Sequence, residues 1–152
     1  MAIDTSNVRE VRTDEAPAPV GPYSQAVVHA GLVFASGQIA LDPTTGEIVP
    51  GEIEQQTERV IENLSHVLAA AGSDLGQVLK TTVYLIDLGL FPRMNAVYAK
   101  HFDSIPAPAR ATVEVSALPL GAAVEIDAIA CVRDSVGGRV GAIPANRSHT
   151  HE

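Results

Sequence analysis

Two residues late in the chain have the types and spacing to do chemistry together. Arg110 follows the stiff PAPA stretch of residues 106–109 and begins a strand, so its planar guanidinium sits on a rigid element and can grip a carboxylate through two hydrogen bonds. A solvated surface arginine would leave the same trace. Glu125 and Asp127 lie within an otherwise apolar strand, VEIDAIA, where a carboxylate either faces water or stands beside a cleft as a general acid or base. Tyr23 in GPYSQ offers a phenol just before a strand, with a core or interface role equally open. Ser36 and Gly37 end a neighbouring strand, and the glycine permits a ligand to approach backbone amides. Asn95 falls on a helix, where an asparagine is more often solvated than part of a site.

Other chemistries lack their residues. The histidines at 29, 66, 101, 149 and 151 show no metal-ligand grouping beyond His149-Thr150-His151, an adventitious pair near the end of the chain. No Gly-rich phosphate loop, G-x-S-x-G elbow or Cys/His nucleophile arrangement occurs. Acid–base chemistry without a cofactor or metal is what remains.

The elements that must position these residues can be read from periodicity. Val8 to Thr13 is β-prone, and EAPAPVGPY is a loop. Ser24 to His29 and Leu32 to Gly37 form a hairpin through Ala30-Gly31. Ile53, Val60, Ile61, Leu64, Val67, Leu68 and Ala71 recur at helical spacing, and Gly72 stands where a C-cap is expected. Gln77 to Ile86 reads as a buried strand. Leu90 to Phe102 reads as a second helix with Leu90, Met94, Val97, Tyr98 and Phe102 facing inward. Arg110 to Val115 and Ala123 to Val132 are the last strands. The order β-β-β-α-β-α-β-β predicts an α+β domain, a mixed sheet with both helices on one face. The second face, carrying Glu125, Asp127, Ile129 and Cys131, is partly apolar, so an oligomer is expected.

Taking LPLG as a hairpin turn places Glu125 opposite Glu114 and Asp127 opposite Thr112, with Arg110 on the same side of the ribbon. Two facing carboxylates repel, which would raise the pKa of one of them. The same register leaves Arg110 on the order of 13 Å from Glu125 at strand rise. A site completed between two chains is therefore predicted.

At 152 residues the chain has room for one domain, assigned to 1–133, and 134–152 reads as a mobile tail without hydrophobic periodicity. A net charge of −8 with no basic block, 4% aromatics and no Trp argue against a nucleic-acid partner. No apolar run could cross a bilayer and the first residues lack a secretion signal, so neither a membrane partner nor export is expected and the cytoplasm is the expected compartment. The lone Cys131 cannot form an internal disulfide.

Read together, APAPVGPYSQAV, FASGQIALDPTTGEI, KTTVYLIDL, FPRMNAVYAKHF and PAPARATVEVSALPLGAAVEIDAIA resemble the RidA family, also called YjgF/YER057c/UK114, of reactive-intermediate deaminases. The resemblance runs from about Val8 to Val132. It implies a chorismate-mutase-like fold, a homotrimer with sites in the clefts between subunits, and hydrolysis of 2-imino acids to 2-keto acids and ammonia. Carried over by position, the substrate-carboxylate arginine is Arg110 and the water-handling glutamate is Glu125. Tyr23, Ser36, Gly37 and Asn95 match pocket positions. Many members have a cysteine where this chain has Thr112, which argues against thiol chemistry and leaves Thr112 a backbone role in orienting the substrate. Two other readings compete: a non-catalytic, regulatory trimer binding small carboxylates through Arg110, and an RNA-acting translation inhibitor, which the net charge disfavours.

Overall fold

The computed structural model of the chain describes residues 2 and 4–134, so the tail expected at 134–152, with its histidine pair, lies outside the described residues from residue 135 onward. Six strands form one mixed sheet: β1 (Arg9–Val11), β2 (Ala26–His29), β3 (Leu32–Gln38), β4 (Val78–Leu85), β5 (Ala109–Glu114) and β6 (Val124–Cys131). Their order across the sheet is β1-β2-β3-β6-β4-β5. Two helices, α1 (Ile53–Ala70) and α2 (Phe91–His101), pack against each other, and α1 lies over β3 and β6.

Local signals produced the elements as read. Ala30 and Gly31 both take positive φ, 51° and 77°, which matches the twist of a two-residue hairpin turn between β2 and β3. Every helix position predicted to face inward from Ile53 to Ala71 is buried, and Gly72 ends α1 at φ 82°. In β6 burial alternates: Val124, Ile126, Ala128 and Ala130 lie under the helices, and Glu125, Asp127, Ile129 and Cys131 occupy the face left open. Leu64 is fully buried in this core. Leu64→Ala is expected to cost about 2–5 kcal/mol, read as a lower urea midpoint with an unchanged slope.

The hairpin expected through LPLG does not form. β5 pairs parallel with β4, and β6 runs antiparallel between β3 and β4, so β5 and β6 are not neighbours. Glu125 therefore faces Tyr84 and Asp127 faces Thr82, in place of Glu114 and Thr112. The physical reason is the apolar content of the two strands. β6 carries apolar residues on both faces and gains most from a central position, whereas β5 is largely exposed and presents Arg110, Thr112 and Glu114 at the sheet edge. The α2 crossover between β4 and β5 supplies the connection that parallel pairing needs.

Candidate active site

The corrected register assigns each candidate side chain to a face. Arg110 is level with Thr81, a buried residue whose hydroxyl meets the Tyr98 hydroxyl of α2 at 2.8 Å. Arg110 thus belongs to the helix side. Glu125 is level with Tyr84, one strand-face step out of phase, and belongs to the open side. Arg110 and Glu125 of one chain are separated by two strand spacings and three residues, about 14 Å, with the sheet between them. Their expected placement on one side is corrected, and their separation within a chain is retained.

On the helix side, α2 builds a cradle for Arg110. Nη1 donates to Asn95 Oδ1 at 2.7 Å, and the guanidinium carbon lies 4.7 Å from the Tyr98 ring centroid and 5.4 Å from that of Phe91. Residues 91, 95 and 98 recur at helical spacing, so one stripe of α2 presents all three. Tyr98 is stiffened by Thr81 and by stacking on Phe102, with centroids 4.3 Å apart. No Asp or Glu among the described residues forms an ion pair with Arg110, while Arg12, Arg59 and Arg133 each have one carboxylate partner and Arg93 has two. A guanidinium fixed on two aromatic faces, with one edge on an amide and no carboxylate partner, is a ready anion receptor. Thr112 follows on the same face, level with the buried Val83.

On the open side, Glu125 stands against the end of β3. A Cβ on Gly37 would come within 2.7 Å of Glu125 Cδ, so this glycine makes the room in which the carboxylate sits. The strand register shifts here, between Ala35 and Gln38. Ser36 ties the segment before β2 to β3: its hydroxyl donates to the Ser24 carbonyl at 2.6 Å and its amide to the Gln25 carbonyl at 2.9 Å. Buried Gln25 in turn donates to the carbonyls of Thr13, Ala16 and Pro17, which organises the proline-rich loop leading to Tyr23. Tyr23 is exposed beside this anchor, and its hydroxyl accepts the Val20 amide at 3.4 Å.

Burial raises the pKa of Glu125 above the ordinary carboxylate value, and the neighbouring charge of Asp127 adds to the shift. Repulsion by Glu114, the cause expected from the hairpin, is replaced: Glu114 accepts the Leu88 amide at 3.0 Å, near the start of α2. Sequence reasoning missed Phe91 as part of the Arg110 platform, read Tyr98 only as core, and passed over Tyr84 and Thr82. The aromatic spacing on α2 was the available signal for the first two. The others depend on which strand lies beside β6.

Among the described residues no cluster of three or more His, Cys, Asp or Glu could hold a metal ion, and no helix is long and apolar enough to cross a membrane. Two shallow grooves are present. One of 470 Å³ runs between α1 and α2, lined by Glu54, Glu58 and Val97 among others. The second, of 290 Å³, lies on the open face between Phe34, Lys80, Thr82, Asp127 and Ile129. Neither includes Arg110 or Glu125.

Fold and side chains together define a mixed α+β protein with an arginine that has no carboxylate partner among the described residues on one face and a carboxylate of raised pKa on the other. A family model described as Endoribonuclease L-PSP matches residues 13–132. The chain belongs to that family, the YjgF/RidA family. It is 56% identical over 124 residues to the Myxococcus xanthus Protein DfrA, covering 80% of this chain and 94% of the relative. It is 45% identical over 127 residues to the mouse 2-iminobutanoate/2-iminopropanoate deaminase, covering 83% and 93%. A crystal structure of E. coli TdcF with bound serine superposes with a TM-score of 0.76 at 41% identity, covering 83% of this chain and 99% of that one.

Proposed function

We propose that this protein hydrolyses reactive 2-imino and enamine acids, of the 2-aminoacrylate and 2-iminobutanoate type, to 2-keto acids and ammonia. The observation that carries this reading is the pairing of an arginine without a carboxylate partner and a carboxylate of raised pKa on the same chain. Likeness to the mouse deaminase supplies the substrate class. The working unit is a homotrimer of chorismate-mutase-like domains spanning residues 1–133, acting in the cytoplasm, in which the open face of each sheet is covered by another copy. Arg110 of one copy then meets Glu125 of the next across a cleft. Tyr23, Ser36, Gly37, Asn95 and Thr112 line that cleft.

In this cleft the Arg110 guanidinium binds the substrate carboxylate through two N–H donors and holds C2 in place. Glu125 takes a proton from a water molecule as the water oxygen bonds to C2 of the iminium. Glu125 passes that proton to the nitrogen of the resulting carbinolamine, then takes the hydroxyl proton as the C2–O bond becomes a carbonyl and the C2–N bond breaks with release of ammonia, and finally returns its proton to solvent. Backbone groups near Gly37 and Thr112 fix the orientation. Iminium hydrolysis already proceeds in water, so the barrier to be removed is small and water with two side chains suffices.

The test generates the imine with a dehydratase, traps what remains with semicarbazide, and follows the trapped product. Less trapping in the presence of the protein is expected, and equal trapping would end the deaminase reading. Gly37→Ala probes the geometry, because the three atoms nearest the added methyl all belong to the Glu125 side chain. The fold is expected to survive and kcat/KM to fall roughly 10- to 100-fold, as small displacements of a catalytic group do. The carboxylate-binding regulatory reading needs Arg110 alone, so unchanged function in a Glu125 variant would favour it.

A further inference from the structure

Glu125 has a neighbour that the proposed reaction does not use. Asp127 lies two residues along β6 on the same face and accepts hydrogen bonds from the Thr82 amide at 3.2 Å and the Tyr84 hydroxyl at 3.0 Å. Tyr84 is also the cross-strand partner of Glu125, so its side chain stands beside one carboxylate while its hydroxyl reaches the other. Strand stability alone would favour an apolar residue at position 127, as at Ile129 on the same face, because a second partly buried carboxylate repels the first.

We propose that Asp127, locked by Tyr84 and Thr82, is a positioning residue that makes Glu125 a stronger base. The catalytic consequence rests on the deaminase reading; the interaction between the two carboxylates does not. Two donors, the Thr82 amide and the Tyr84 hydroxyl, fix the direction of the Asp127 carboxylate. An anion held at i+2 on one strand face, on the order of 7 Å away, disfavours the loss of a proton from its neighbour in partly buried surroundings. The raised pKa of Glu125 has this direction, with burial the larger cause and the charge of Asp127 the second. The Tyr84 hydroxyl is held protonated, by burial and then by its bond to Asp127, and so remains a donor.

Few other charges face Glu125. β6 contributes Asp127 alone, and β3 contributes Ser36 and Gly37, which are uncharged. β4 contributes Tyr84 and, at the far end of the 290 Å³ groove, Lys80, which forms no ion pair among the described residues. In the proposed trimer, Arg110 of a second copy is the remaining charge.

The experiment is a carbon-13 NMR titration of the Glu125 carboxyl in the assembled protein without substrate, for wild type and Asp127→Asn, alongside the pH profile of kcat/KM. The substitution keeps the shape of the side chain, and the Tyr84 hydroxyl can turn from donor to acceptor. Glu125 is expected to titrate at lower pH, the acid limb of the profile to move with it, and the plateau rate to fall about threefold to tenfold as the base weakens. A merely structural role would lower stability without moving either titration. Tyr84→Phe is the second variant, expected to shift Glu125 in the same direction by freeing Asp127. Should Asp127→Asn fail to assemble, Tyr84→Phe decides the matter. An unmoved Glu125 titration overturns the proposal, and a wild type without deaminase activity overturns the functional reading while the titration still tests this one.

Discussion

Arg110→Ala is expected to lower kcat/KM for 2-imino acids by roughly 10²- to 10⁴-fold, with most of the loss appearing in KM. The deleted group supplies two charge-assisted hydrogen bonds to the substrate carboxylate, each worth about 1.5–3 kcal/mol, and every 1.4 kcal/mol is a factor of ten. Part of that energy is spent on orienting C2, so kcat falls as well. Folding is expected to change little, because Arg110 lies at the exposed sheet edge and its stacking on Tyr98 and Phe91 is worth only about 0.5–1 kcal/mol. Arg110→Lys is not expected to rescue, since an ammonium cannot present a planar fork or stack on both rings. Stopped trapping assays over a range of substrate concentration separate the two parameters. A Lys variant with wild-type KM would show that charge alone is read at this position.

Glu125→Gln is expected to lower kcat by about 10²- to 10⁴-fold while leaving substrate affinity nearly unchanged, because the amide cannot accept the proton of the attacking water. The wild-type rate should fall as pH drops through the Glu125 pKa, which lies above the ordinary value of 4.5. This acid limb should vanish from the residual rate of the variant. Stability carries the opposite sign. A carboxyl whose folded pKa is raised contributes stability in full below its unfolded pKa and loses it as pH rises through the folded value. Removing its charge is therefore expected to stabilise the fold at neutral pH, with the gain shrinking toward pH 4.5. Urea denaturation in an Arg110→Ala background, which removes the cation the assembly would bring, makes that comparison. A Glu125→Gln variant less stable at pH 7 than at pH 4, relative to its parent, would contradict it.

Much of the fold was legible because its signals are local. Helical spacing from Ile53 to Ala71, the Ala30-Gly31 turn and the strict alternation of β6 each lie within a short window, and each matches the structure. Pairing between β5 and β6 was misread because a short connection such as LPLG indicates a turn without revealing which strand lies between its arms. That β6 carries apolar residues on both faces was the clue that it belongs at the centre of the sheet. Arg110 and Glu125 stood out because an arginine on a stiff edge strand and a carboxylate in an apolar run conflict with their surroundings. Their partners did not. Asn95, Phe91 and Tyr98 form one stripe only once α2 is seen against β5, and the Tyr84–Asp127 hydrogen bond requires the pairing of β4 with β6.

In the proposed trimer Arg110 and Glu125 act on one substrate from two different copies of the chain. Co-expression of Arg110→Ala and Glu125→Gln chains in equal amounts tests it directly. In a closed ring, each site takes its arginine from one subunit and its glutamate from the next, so about one quarter of the sites in randomly mixed trimers combine both intact residues. Deaminase activity near one quarter of wild type is predicted, from two parents that are each nearly inactive. If both residues served the same chain's site, every site would carry one defect. A mixture no more active than its parents would rule out a site shared between two subunits.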